Sequence, residues 1–139
     1  GVDTLKALAY NLPLEGVVLS PVLDAQKGNF YQALYQWENG KLVELAPVAV
    51  VSAEQALERM ALTGTQSLLL GECEKLVKKG LPDFIKAAPE ALRMPRACSA
   101  ALLAQDEFDA DNDRRIFGLE PYYIRRSEAE ELWEKKHKQ

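Results

Sequence analysis

Residues 29–37 alternate so strictly that an extended strand is the conformation that sorts them. Phe30, Gln32, Leu34 and Gln36 fall on one side; Tyr31, Ala33, Tyr35 and Trp37 fall on the other. A period of two is the strand period. Asn39-Gly40 follows at once. That pair suits the tightest hairpin, because both central positions of a type I′ turn need positive φ. The chain therefore returns over residues 41–51 as an antiparallel partner, bent at Pro47. Upstream, Val17 to Leu23 is an apolar run of the kind that forms a buried strand. It reaches the alternating stretch through a short polar turn at Gly28. Pro21 lies inside the run and has no N–H to give a ladder, which predicts a sheet edge or a bulge there. Three antiparallel strands in a meander follow.

The rest of the chain alternates between helix and strand. Residues 3–11 read as a helix capped by Asp3 or Thr4, with Leu5, Leu8, Ala9 and Leu12 on one stripe, ended by Pro13 and Gly16. Ser52-Ala53-Glu54-Gln55 fits a capping box and opens a second helix that buries Ala53, Ala56, Leu57, Met60 and Ala61. Thr63-Gly64 stops it, and Ser67 to Gly71 is a short apolar strand of the parallel type. A helix over 72–79 carries a Glu74–Lys78 pair and ends at Gly80. Three prolines make 81–96 a loop with one short strand near Ala91–Met94. A helix of small residues covers 96–105, with Cys98 as a small core residue. An acidic loop over 106–113, an extended piece at Pro121–Arg125 and a terminal helix opened by a second capping box at Ser127–Glu130 complete the order. A meander followed by helix–strand units implies a mixed α/β sheet with helices on both faces.

Several chemistries are excluded by what the chain carries. The single histidine, His137, sits on a polar tail, so no Ser-His-Asp or Cys-His arrangement and no two-histidine metal site can be built. The two cysteines are too few for a disulfide framework or a zinc site, and they fit a reducing, cytoplasmic compartment. Cys73 stands between Glu72 and Glu74, which discourage a thiolate. The eight glycines form no phosphate-cradling spacing. Asp109, Asp111, Asp113 and Glu120 match ligand positions of an EF-hand loop, but Arg114 replaces the turn glycine and Pro121 opposes the exiting helix. This stretch is read as an acidic surface loop. The net charge is -4, and the basic residues near the end are diluted by Glu120, Glu128, Glu130, Glu131 and Glu134. Nucleic-acid contact needs a cationic cluster, so none is expected here. No apolar run is long enough to span a bilayer as a helix. Asp24, at the end of a buried strand, is read as a turn cap bonding the backbone of Gln26 or Lys27 rather than as a Mg²⁺ ligand. Tyr31, Tyr35 and Trp37 read as core or interface rather than as a base-stacking platform. No catalytic, cofactor-binding or metal-ligating residue is assigned.

Three ordered segments carry a resemblance. Gly1-Val2-Asp3-Thr4-Leu5-Lys6-Ala7-Leu8-Ala9, the segment Pro21 to Tyr31, and Pro121-Tyr122-Tyr123-Ile124-Arg125 together resemble motifs of the TsaB (YeaZ) family of glycoprotease-like proteins. Asp24, Gly28, Tyr31, Pro121 and Arg125 are the motif positions. Gln26 and Asn29 depart from the arginine and glutamate usual in that family.

The resemblance implies a ribonuclease-H-like half of an actin-like ATPase fold. Residues 1–139 are then the C-terminal domain of a larger two-domain protein, with residues 1–12 a helix near the interdomain junction. It implies a non-catalytic scaffold supporting tRNA threonylcarbamoyladenosine formation, partnered by a TsaD-like transferase and a TsaE-like ATPase, with no cofactor of its own. A half-protein would expose apolar surface, so self-association is expected. The competing expectation is an enzyme, a glycoprotease-like peptidase or actin-like ATPase, whose interdomain site is incomplete in this chain and is lined by Asp24.

Overall fold

The computed structural model describes residues 1–106 throughout and, beyond them, residues 118, 120, 121, 124, 130, 133, 136 and 137. The elements in order are α1 (Thr4–Tyr10), β1 (Val18–Asp24), β2 (Asn29–Glu38), β3 (Lys41–Ser52), α2 (Ala53–Ala61), β4 (Ser67–Gly71), α3 (Glu74–Lys79), β5 (Ile85–Ala87), a 3-10 turn (Glu90–Leu92) and α4 (Ala97–Asp106). The acidic loop, the EF-hand-like stretch, Arg125 and the second capping box fall wholly or partly outside the described residues.

One five-stranded sheet runs in the order β3-β2-β1-β4-β5. β1, β2 and β3 form the expected antiparallel meander, and β4 joins β1 in parallel with β5 parallel beyond it. The hairpin turn has the positive φ its sequence demands, 51° at Asn39 and 74° at Gly40. Helices cover both faces. Val18, Val22, Phe30, Leu34 and Leu69 point to one face and pack with Ala53, Ala56 and Met60 of α2 and Leu76 of α3. Leu19, Ala33, Tyr35, Trp37 and Leu70 point to the other and pack with Leu5, Leu8 and Ala9 of α1. The meander aromatics are thus core: Tyr35 and Trp37 are buried and Tyr31 is half-buried. Burial, aided by the carboxylates of Asp3 and Glu44, holds the Tyr35 phenol well above its usual range.

The helix ends follow local chemistry. Asp3 caps α1, its Oδ1 accepting from the Lys6 N–H at 2.9 Å. Ser52 and Gln55 complete the capping box of α2 in both directions, at 3.2 and 2.9 Å.

Five expectations are corrected. The strand expected near Ala91–Met94 lies earlier, at Ile85–Ala87, where Ser67, Leu68 and Leu69 of β4 offer a partner; residues 90–92 close into a 3-10 turn after Pro89. Pro21 marks no edge, since β1 is the central strand. The pairing of β1 with β2 instead skips Ser20 and Pro21, passing from Leu19↔Tyr35 to Val22↔Gln32. One strand further out the β2–β3 register shifts on either side of Leu34. Glu74 reaches Arg93, 3.7 Å away, across the fold. Cys98 is exposed, as is Ala61. In α4 the residues buried are Ser99 and Leu103, one turn apart, and Cys98 lies off that stripe.

Candidate functional site

β1 and β4 run parallel and end side by side, Val22 opposite Gly71. In α/β sheets the space beyond the carboxyl ends of parallel strands is where ligands gather. Here that end is built from the Asp24–Gly28 turn and the Gly71–Lys75 connection into α3.

The turn is tight. Gln26, Lys27 and Gly28 all have positive φ, at 64°, 52° and 79°. Side chains other than glycine resist that region, so the loop needs a brace. Asp24 supplies it: its Oδ1 accepts from the Gln26 N–H at 2.9 Å, the turn-capping role read from the sequence. Its Oδ2 accepts from Lys75 Nζ. The lysine hydrogen bond, and then the Gln26 backbone, hold the Asp24 carboxyl below its ordinary range. The Asp24 N–H in turn donates to Glu72 Oε2 at 2.7 Å.

Gly71 makes this junction possible. A Cβ on it would sit 2.2 Å from the Val22 carbonyl oxygen, and its φ is 78°. The Glu72 N–H then donates to that same Val22 oxygen at 2.9 Å. Glu72 and Lys75 were not singled out in the sequence. Their signal is positional: Glu72 directly follows the apolar strand β4, and Lys75 lies in the first turn of the helix after it.

Asp24 is engaged by Lys75 and the Gln26 N–H, and Glu72 by the Asp24 N–H. Among the described residues no cluster of three histidine, cysteine, aspartate or glutamate side chains could hold a metal ion. Cys73 is buried, and burial pushes its thiol up, with Arg93 pulling it back and Glu74 adding to the rise. Of the motif positions, Asp24, Gly28 and Tyr31 share one hairpin, while Pro121 is exposed and Arg125 lies outside the described residues. At the other end of the sheet a cleft of about 420 Å³ opens between α1, α4 and the β2–β3 turn, lined by Lys6, Tyr10, Trp37, Lys41 and Leu103. The rings of Tyr10 and Trp37 lean together there, centroids 5.1 Å apart.

The fold is a ribonuclease-H-like mixed α/β sheet, and its strand-end carboxylates bond its own backbone and Lys75. Comparison with known proteins is specific. The chain is 33% identical over 138 residues, 95% of its length, to the tRNA threonylcarbamoyladenosine biosynthesis protein TsaB of Bacillus subtilis (strain 168). It covers 58% of that protein, so it spans little more than half the length of the curated relative it matches. Among solved structures it resembles an uncharacterized protein with similarity to peptidase YeaZ from Pseudomonas aeruginosa, with TM-score 0.60, 20% identity, 89% of this chain and 57% of that one. It also resembles YeaZ from Pseudomonas aeruginosa, with TM-score 0.54, 23% identity, 76% of this chain and 50% of that one. No protein-family model matches. Over the stretch that aligns, the chain is similar in sequence to TsaB and in fold to the YeaZ structures.

Proposed function

We propose that this chain is an interaction module in tRNA threonylcarbamoyladenosine biosynthesis, acting as the C-terminal half of a TsaB-like scaffold rather than as a catalyst. The observation that carries the reading is the sequence identity with TsaB along 95% of the chain. The junction supports it: Asp24 and Glu72 are engaged by Gln26, Lys75 and the Asp24 N–H. A TsaD-like transferase and a TsaE-like ATPase are the partners of the full-length protein in this reading.

The test is a graft. This chain is joined to the part of Bacillus subtilis TsaB that it does not cover and expressed in cells depleted of their own TsaB. Threonylcarbamoyladenosine is then measured in digested tRNA by mass spectrometry. Recovery of the modified nucleoside by the graft, and none by this chain alone, is expected. A graft that is folded and soluble yet restores nothing overturns the proposal.

A further inference from the structure

β3 is a twelve-residue outer strand, and among the described residues it pairs with β2 alone. Its second half, Val48-Ala49-Val50-Val51, is apolar and mostly β-branched. Such an edge is a template for another strand, and proteins blunt it with prolines, charges and bulges. Three devices meet on this one. Pro47 removes an N–H from its middle. The register with β2 passes from Gln32↔Ala49 to Leu34↔Ala46 to Tyr35↔Glu44, so β3 carries two extra residues and bends. The third device comes from outside the sheet.

Arg59, on α2, reaches into the irregularity. Its Nη1 donates to the Gln32 carbonyl at 3.0 Å and approaches Gln32 Oε1 at 3.3 Å. Its Nη2 donates to the Pro47 carbonyl at 2.8 Å. One planar fork thus serves a carbonyl on each side of the opened ladder, which an ammonium could not span in the same way. Both ends of the reach are fixed. Gln32 is fully buried, its Nε2 donating to Ser20 Oγ at 2.9 Å and to the Ala56 carbonyl at 3.0 Å. α2 is held at its start by the Ser52 capping box and along its length by buried Ala56 and Met60.

We propose that Arg59 guards the β3 edge: by bracing the bulge open it keeps β3 from pairing with the same strand of a second copy of this chain. Without the guanidinium, the Gln32 and Pro47 carbonyls lose their donors. Backbone carbonyls seek partners, and an outer strand finds them on another strand laid along its free edge. The Val48–Val51 edge is self-complementary in an antiparallel pair about a two-fold axis. The occupant is therefore a second copy, since the identical segment supplies both strands.

The test compares full chains by sedimentation over a concentration series. Arg59→Met keeps the length of the side chain and removes the fork. Met60→Ala is the control, because it loosens the same helix without touching the bulge. Arg59→Met is expected to associate at concentrations at least ten-fold below those at which the unsubstituted chain or Met60→Ala does. Adding Val50→Lys at the edge reverses this. Association of Arg59→Met no stronger than that of Met60→Ala, or unaffected by Val50→Lys, overturns the proposal. Should Arg59→Met fail to fold, Pro47→Val, which returns the missing N–H and relaxes the bend, decides in the same way.

Discussion

At the scale of single residues, Gly71 and Asp24 hold the junction between β1 and β4 for different reasons. Gly71 is required by space and by conformation together. Its absent Cβ leaves room for the Val22 carbonyl, and Leu8 Cδ1 would lie 3.2 Å from the same point. Left-handed backbone costs an ordinary residue about 1–2 kcal/mol, and forcing atoms into a packed core adds about 1–3 kcal/mol. Gly71→Ala is therefore expected to destabilise by about 3 kcal/mol, read from the urea midpoint. A change under about 1 kcal/mol would show that the strands separate freely at this point. Asp24 acts through charge. Its carboxyl is held low by Lys75 and by the Gln26 N–H, so its folded pKa lies below its unfolded one. Its contribution is present at neutral pH and is lost as pH falls through the folded value. Asp24→Asn keeps an oxygen for the turn but loses the ion pair. The stability gap between the two proteins should be widest at neutral pH, close in acid, and narrow with added salt. A gap that is constant with pH would mean that the ion pair contributes nothing.

At the scale of elements, what was legible was what local rules decide. The Phe30–Trp37 alternation, the Asn39-Gly40 turn and the Ser52–Gln55 box were each set by neighbours in sequence, and each appears where those rules place it. The strand Ile85–Ala87 was not legible. Three residues carry no period, and it exists because β4 offers it a parallel partner. Pro21 misled for a related reason. The register of β1 with β2 is the same on both sides of Pro21, and β4 pairs with it from the other side, so the missing N–H is tolerated in a central strand whose partners lie far along the chain. Arg59 belongs to the same class: its partners Gln32 and Pro47 are distant in sequence and are met only through the bulge. The turn-capping role of Asp24 was readable because its partner is two residues away, whereas Lys75 and Glu72 join it only through the pairing of β1 with β4.

At the scale of the whole molecule, the sheet divides the interior in two. Met60 is fully buried on the α2 face with Phe30 and Leu34, and Leu8 is fully buried on the α1 face with Leu19 and Tyr35. Truncating either to alanine leaves a cavity and is expected to cost about 2–5 kcal/mol. The sheet lies between them, and the two side chains belong to different clusters. Their effects should then add to within about 0.5 kcal/mol in the double variant, as for sites without shared partners. The strands nonetheless belong to both halves, because alternate residues of β1 face opposite sides. Loss on either face should therefore unfold the whole sheet in one transition, with far-UV circular dichroism and tryptophan emission changing together. Two separate transitions, or a coupling above about 1 kcal/mol, would instead describe faces that fold apart or cores that communicate through the strands. A single transition with additive costs is what a ribonuclease-H-like sheet, covered on both sides, requires.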